Sequence, residues 1–187
     1  MKILDITYVA LLAAFMGVLG IVPPIMLSFT PVPITIQTLG LLLAGGVLGP
    51  RLGALSMTVF LLVVAAGAPL LSGGRGGIAV FIGPSAGYLF AYPLVAFCVG
   101  YLIRRFSKLK LRNILLVNLT VGIFLLYLIG IPVQAFIMNI PIEKAILTSM
   151  AYIPGDIMKA TLASYLVFRL LKSPAINRNL YKNAKTL

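Results

Sequence analysis

The sequence predicts an all-α integral membrane protein with six transmembrane helices and both termini on the cytoplasmic side. Three observations predict it. Of the 187 residues, 61% are hydrophobic and only 10% are charged, with a mean hydropathy of +1.12; soluble domains carry about 25% charged residues. The charges are confined to narrow bands that separate long apolar runs. The basic residues are also divided unequally between the two sides those runs define, as expected when cytoplasmic loops collect Lys and Arg.

No charge occurs in 6–50, 52–74, 76–103 or 113–142, and 145–168 holds only Asp156 and Lys159. A spanning helix takes about 20 apolar residues, so the first run is too long for one. Pro23-Pro24 and Pro31-Val32-Pro33 divide it, because proline lacks the amide donor and its ring collides with the preceding turn. Spans are therefore expected at 6–22 and 34–48, the second short enough to be tilted or only partly crossing. A third covers 52–68. Residues 70–84 are glycine-rich and read as a loop. The remaining spans are 85–103, 114–131 and 143–171, the last longer than a bilayer needs, with a kink expected at Pro154-Gly155.

Six spans return the chain to its starting side. Lys2, Arg51, Arg104, Arg105, Lys108, Lys110, Arg112, Arg169, Lys172, Arg178, Lys182 and Lys185 then share that side, and only Arg75 and Lys144 face the other. The bias makes the first side cytoplasmic. Five spans would split the two large basic clusters across the membrane. Residues 1–187 read as a single transmembrane substrate-binding domain, of which 173–187 form a polar cytoplasmic tail.

Several functions are excluded or disfavoured. The net charge of +12 is not a nucleic-acid footprint, because the basic residues lie between apolar runs rather than along one helix face. Cys98 is the sole cysteine, so it forms no internal disulfide, and one thiol makes no metal site. No cleavable signal is expected, since the apolar run from Ile6 is too long and lacks a small-residue cleavage site. There is no G-x-x-x-x-G-K-[ST] to cradle ATP and no histidine for a proton relay or zinc site. Asp156 has no second intramembrane acid beside it, which argues against an aspartyl protease. No internal repeat supports an inverted-repeat carrier. Active transport by this chain would draw its energy from another subunit.

The residues that can carry chemistry are few. Asp156 and Lys159 stand three apart, so on a helix they share one face and reach each other. Each costs roughly 2.5–3.5 kcal/mol near the bilayer centre, and pairing offsets part of this. The pair serves either to pin its helix to neighbours or to form a polar site for a compact head group with both donors and acceptors. Ser72-Gly73-Gly74-Arg75-Gly76-Gly77 is expected on the outer side as a flexible turn with accessible amides, suited to covering a pocket. Arg75, the one guanidinium there, can receive an anionic group. Gly83-Pro84-Ser85-Ala86-Gly87 matches the G-x-S-x-G pattern. Without histidine it reads better as a helix start made by Pro84 and Ser85; a Ser85–Lys159 dyad is the enzymatic alternative. Ala10 and Ala14, with Ala13 and Gly17 beside them, make a flat stripe for close helix contact in lipid.

Taken in order, Pro31-Val32-Pro33-Ile34-Thr35-Ile36-Gln37-Thr38-Leu39, Leu48-Gly49-Pro50-Arg51-Leu52-Gly53, the glycine-rich loop, Gly83-Pro84-Ser85-Ala86-Gly87-Tyr88-Leu89 and Pro154-Gly155-Asp156-x-x-Lys159 resemble the BioY family. Those proteins are the biotin-binding S components of energy-coupling factor (ECF) transporters. The resemblance covers nearly the whole chain and implies a six-helix S-component fold with no enzymatic activity. It implies biotin as the ligand and no cofactor held by this chain. It also implies partners, a transmembrane coupling (T) protein and two cytoplasmic ATPases, in a bacterial or archaeal cytoplasmic membrane. The S component is expected to topple in the membrane to deliver its ligand, with Ala10 and Ala14 on its docking face. On this view Asp156 accepts from a ureido N–H and Lys159 donates to the ureido carbonyl or nearby polar atoms. Phe81, Tyr88 and Tyr152 wall the bicyclic body, and Gly73, Gly74 and Ser85 complete the site. Arg75 receives the tail carboxylate. The family's expected Thr-Gly is replaced here by Ser85-Ala86. The alternative is a stand-alone carrier or channel that uses the Asp–Lys pair for coupling.

Overall fold

The computed structural model describes residues 2–173. The first helix, α1 (Ile3–Ile21), is closed at its start by the Lys2 amide donating to the Asp5 carboxylate at 2.9 Å, which satisfies a donor otherwise orphaned at a helix end. It stops just before Pro23-Pro24, as those residues require. The proline-rich stretch that follows forms a short antiparallel hairpin, β1 (Ile25–Leu27) and β2 (Thr30–Ile34), with Leu27 opposite Thr30. This hairpin is an addition to the expected helical architecture. Prolines are tolerated in β2 because a two-stranded ribbon leaves an outer edge on which no amide is needed.

The centre of the bundle is α2 (Gln37–Leu48), every residue of which is buried. Its 12 residues extend about 18 Å, well short of the ~30 Å hydrocarbon core. Around it pack α1, α3 (Pro50–Ala65), α4 (Ala86–Arg105) and α8 (Ile153–Lys172). In lipid, apolar side chains gain little by leaving one apolar medium for another, so close backbone approach through small residues carries the packing. A Cβ on Gly45 would lie 2.6 Å from the Ala96 carbonyl oxygen, and one on Gly100 2.5 Å from the Gly49 carbonyl carbon. Gly49 has φ +80°, which turns the chain from α2 into α3. Arg104 donates to the Leu48 carbonyl at 2.6 Å, a partner for one of the carbonyls at the C-terminal end of α2.

After α4, three segments run on as one apolar rod, Leu111–Met138: α5 (Leu111–Val117), a π-helical turn (Asn118–Ile123) and α6 (Phe124–Met138). It extends past the expected end at residue 131, because Pro132 is accommodated inside α6 and the stop comes only at Asn139, in left-handed conformation. The expected sixth segment is two helices, α7 (Ile142–Met150) and α8. The break falls at Ala151 and Tyr152 rather than at Pro154-Gly155. Pro154 sits in the first turn of α8, where its missing N–H has no intrahelical partner to lose. Asp156 and Lys159 therefore lie at the start of α8, not in the middle of a long helix.

Helices α1, α4 and Leu111–Met138 are each long and apolar enough to cross a membrane. Contacts orient the bundle. Gln37 at the start of α2 meets Met16 in the second half of α1. At the other end of α2, Leu48 meets Arg104 and Gly46 meets Val167. The N-terminal ends of α2, α4 and α8 thus gather at one pole. The N-terminus of α1, the α2–α3 turn and the C-terminal ends of α4 and α8, which carry Arg51, Arg104, Arg105, Arg169 and Lys172, lie toward the other. Arg178, Lys182, Lys185 and the rest of the tail after Ser173 lie outside the described residues.

Candidate binding site

At the pole where α2, α4 and α8 begin, a cleft is lined by residues from β2, α2, α4, α6, α8 and the loop after α3. Val32, Pro33, Ile34, Leu71, Leu89 and Leu126 give it apolar walls; Tyr88, Tyr92, Tyr127 and Tyr152 add aromatic rings with polar tips.

The polar focus is Asp156 with Lys159, whose ammonium lies 2.5 Å from the carboxylate. Both side chains are largely shielded, 6% and 13% exposed respectively. The carboxylate is held from two sides, by Lys159 on Oδ1 and by the Tyr127 hydroxyl donating to Oδ2. Lys159 also donates to the Thr35 carbonyl at 2.8 Å and to the Thr38 hydroxyl at 3.4 Å. Spacing alone accounts for the ion pair. The crossing from α8 to the start of α2 is a fact of the fold, and it fixes the orientation of the pair toward the cleft. A two-donor grip on Asp156 leaves lone pairs free for a further N–H.

The walls are fixed from behind. The Tyr88 hydroxyl donates to Gln134 at 2.9 Å and meets Ser149 at 3.2 Å, tying α4 to α6 and α7. The Tyr88 ring lies against Gly130, where an added Cβ would come within 2.3 Å of it. Tyr152 and Thr30 share a buried hydrogen bond of 2.6 Å that joins the hairpin to the α7–α8 corner. Thr30→Val leaves the Tyr152 hydroxyl buried without that partner and is expected to lower stability by about 1–3 kcal/mol. Tyr152→Phe is expected to cost less, because Thr30 keeps the Val32 amide as a partner. Thermal unfolding of the two variants in detergent checks the order.

The cleft brings together Arg75, Ser85, Tyr88, Tyr152, Asp156 and Lys159. Phe81, Gly73 and Gly74 are not among its lining residues. Phe81 turns instead to Phe90, ring centroids 5.7 Å apart. Gly73 and Gly74 are exposed at the tip of a turn whose positive φ angles of 82° and 69° they supply; Gly73 faces Pro24. That turn is tied down: Leu71 and Arg75 exchange backbone hydrogen bonds of 3.0 and 3.2 Å, and Gly77 donates to Val64 at 2.8 Å. Ser85 occupies the N-cap position of α4, but its hydroxyl makes no capping bond. The bonded partners of Lys159 are Asp156, Thr35 and Thr38, not Ser85. Ala10 and Ala14 are exposed on α1, whereas Ala13 and Gly17 face the bundle.

Sequence reasoning missed Tyr92, Tyr127, Gln37, Thr35 and Thr38 as lining residues. Tyr127 had a signal, a phenol inside an uninterrupted apolar run, where such a hydroxyl needs a buried partner. Thr35, Gln37 and Thr38 likewise interrupt an otherwise apolar block.

The geometry has close counterparts. The model of the BioY family matches residues 1–175. A protein of Bacillus subtilis (strain 168) named "Probable biotin transporter BioY" is 46% identical over 181 residues, 97% of each chain. "Biotin transporter BioY" of Rhizobium etli is 44% identical, covering 87% of this chain and 90% of its own. The crystal structure at 2.1 Å of the S-component for biotin from an ECF-type ABC transporter superposes with a TM-score of 0.91 at 35% identity, covering 96% of both chains. The fold is that of a transporter component and not of an enzyme. A family model matched over nearly the whole sequence, with relatives alike over most of their lengths, leaves one assignment: the chain belongs to the BioY family.

Proposed function

We propose that this protein captures biotin as the S component of an ECF-type uptake transporter. The observation that carries the reading is the doubly held Asp156 carboxylate beside the Lys159 ammonium, at the head of a small, mostly apolar cleft. Biotin offers a ureido ring with two N–H donors and a carbonyl, an apolar bicycle and a carboxylate tail. Asp156 accepts from a ureido N–H, and Lys159 lies beside it to donate to the carbonyl or nearby polar atoms. Tyr88 and Tyr152 flank the bicycle. Arg75, the only guanidinium that lines the cleft, takes the tail carboxylate; three helix N-termini converging on the cleft favour the same sign of charge. The names of the curated relatives and of the solved structure support the ligand.

In this proposal the single domain crosses a bacterial or archaeal cytoplasmic membrane six times, with α5 and α6 together forming one crossing. Both termini face the cytoplasm, and 173–187 form a cytoplasmic tail. The asymmetry of Lys and Arg supports that orientation. The cleft then opens outward. Delivery uses a T protein and two cytoplasmic ATPases, since the chain has no P-loop of its own; the exposed Ala10 and Ala14 are the docking contacts on α1.

Equilibrium binding of radiolabelled biotin to the purified chain tests the ligand. Saturable binding at micromolar concentration or tighter is expected, and its absence overturns the assignment. The chain alone in liposomes, under an ion gradient, is expected to accumulate no biotin; gradient-driven accumulation favours a stand-alone carrier.

A further inference from the structure

The Gln37 side chain lines the cleft yet is only 2% exposed. Its amide nitrogen donates to the Met16 carbonyl of α1 at 3.1 Å and to the Leu70 carbonyl at 3.0 Å, and its oxygen accepts from the Ser72 amide at 3.4 Å. A primary amide has two N–H donors, and here both are consumed by backbone carbonyls. Only one orientation of the amide matches two carbonyls on one side and an N–H on the other. Gln37 therefore has no donor left for a ligand, although it stands at the site.

What it holds is the segment that carries Arg75. Leu70 and Ser72 flank Leu71, and Leu71 exchanges both backbone hydrogen bonds with Arg75. The Arg75 Nε also donates to the Ser72 carbonyl at 3.2 Å. Anchoring Leu70 and Ser72 thus sets the position and direction of the guanidinium. From the α1 side, Gly20 admits the same segment: a Cβ there would lie 1.9 Å from the Leu70 carbonyl oxygen. Contacts from α2 and from α1 converge on one peptide.

We infer that Gln37 is a positioning residue, which fixes the 70–75 turn so that Arg75 meets the carboxylate of the ligand. The inference rests on the biotin reading and deepens it. It separates two parts of recognition: Asp156 and Lys159 read the ureido end, and Gln37, acting through Arg75, reads the charged tail.

The test compares biotin with its primary amide, which keeps the ring system and lacks the negative charge. Affinities of both ligands are measured for the full-length wild type, Gln37→Met, Arg75→Gln, the Gln37→Met/Arg75→Gln double variant and Gly20→Ala. Wild type is expected to favour biotin over the amide. Gln37→Met is expected to weaken biotin binding by about three- to tenfold, no more than the loss of the Arg75 guanidinium itself, while amide binding stays within about twofold. The double variant is expected to bind biotin no worse than Arg75→Gln alone, because the two residues act in series. Gly20→Ala crowds the turn from its other side, its Cβ lying 1.9 Å from the Leu70 carbonyl oxygen and 3.2 Å from Gln37 Nε2, and is expected to give the same selective loss. It decides the matter if Gln37→Met does not fold, and retained amide binding reports a folded site. Equal losses for both ligands, additive losses in the double variant or a wild type indifferent to the tail charge each overturn the inference. A wild type that binds neither ligand instead overturns the biotin reading itself.

Discussion

Asp156→Asn is expected to weaken biotin binding about 100- to 1,000-fold, the range for removing one partner of a buried, hydrogen-bonded charge pair. Three consequences combine. The neutral amide is a weaker acceptor for a ureido N–H than a carboxylate. The Lys159 ammonium, 13% exposed, loses its counter-charge and keeps only the Thr35 carbonyl and the Thr38 hydroxyl. The Tyr127 hydroxyl loses a charged acceptor. Arg75→Gln is expected to cost less, about tenfold, because that guanidinium is less enclosed and water can replace part of its contact. Titration of labelled biotin against both purified variants checks the order, and the reverse order contradicts the site.

The same pair could serve architecture rather than recognition, and a double substitution separates the two. Asp156→Asn alone also leaves a buried charge uncompensated, which lowers stability by about 3–5 kcal/mol. Removing both charges with Asp156→Asn/Lys159→Met removes that penalty, since a buried pair replaced by neutral groups of similar size is often neutral in stability. The double variant is therefore expected to recover thermal stability and not biotin binding. Recovery of both assigns the pair to packing.

Gly100→Ala is expected to destabilise the bundle strongly. The added methyl would lie 2.5 Å from the Gly49 carbonyl carbon, 2.6 Å from the Gly45 carbonyl oxygen and 2.6 Å from the Pro50 nitrogen. All three are backbone atoms, so no rotamer change relieves the contact. The α2–α4 interface must separate instead, at the turn that Gly49 makes with φ +80° and that Arg104 caps through Leu48. Overpacking of this kind costs about 1–3 kcal/mol where side chains can yield, and more is expected here. Gly83→Ala is the control: the nearest atoms to its Cβ are 3.9 Å away, and a shift within about 0.5 kcal/mol is expected. Size-exclusion profiles and thermal unfolding in detergent distinguish the two.

Much of this was legible from residue order. The charge-free runs located the long apolar helices, since lipid penalises each charge directly. The Asp156–Lys159 pairing followed from helical spacing, and Arg75, Ser85, Tyr88 and Tyr152 do reach the cleft. What escaped was set by tertiary contact. The α7–α8 corner is fixed by Tyr152 reaching back to Thr30, over a separation no local pattern reports. The β1–β2 hairpin lies where prolines mark a break but do not say what fills it. Phe81 could not be told from a cleft residue until Phe90 was placed beside it. Gln37, Thr35 and Thr38 stood inside a motif that was noticed, but their partners Met16, Leu70 and Lys159 lie on other elements.

The account depends most on which end of the ligand meets Asp156. A crystal structure of the biotin complex measures this directly. The account predicts a ureido nitrogen about 2.7–3.2 Å from an Asp156 carboxylate oxygen, the usual range for an N–H···O bond, with the tail carboxylate beside Arg75. A ligand bound in the opposite direction, or outside the cleft between α2, α4, α6 and α8, contradicts it.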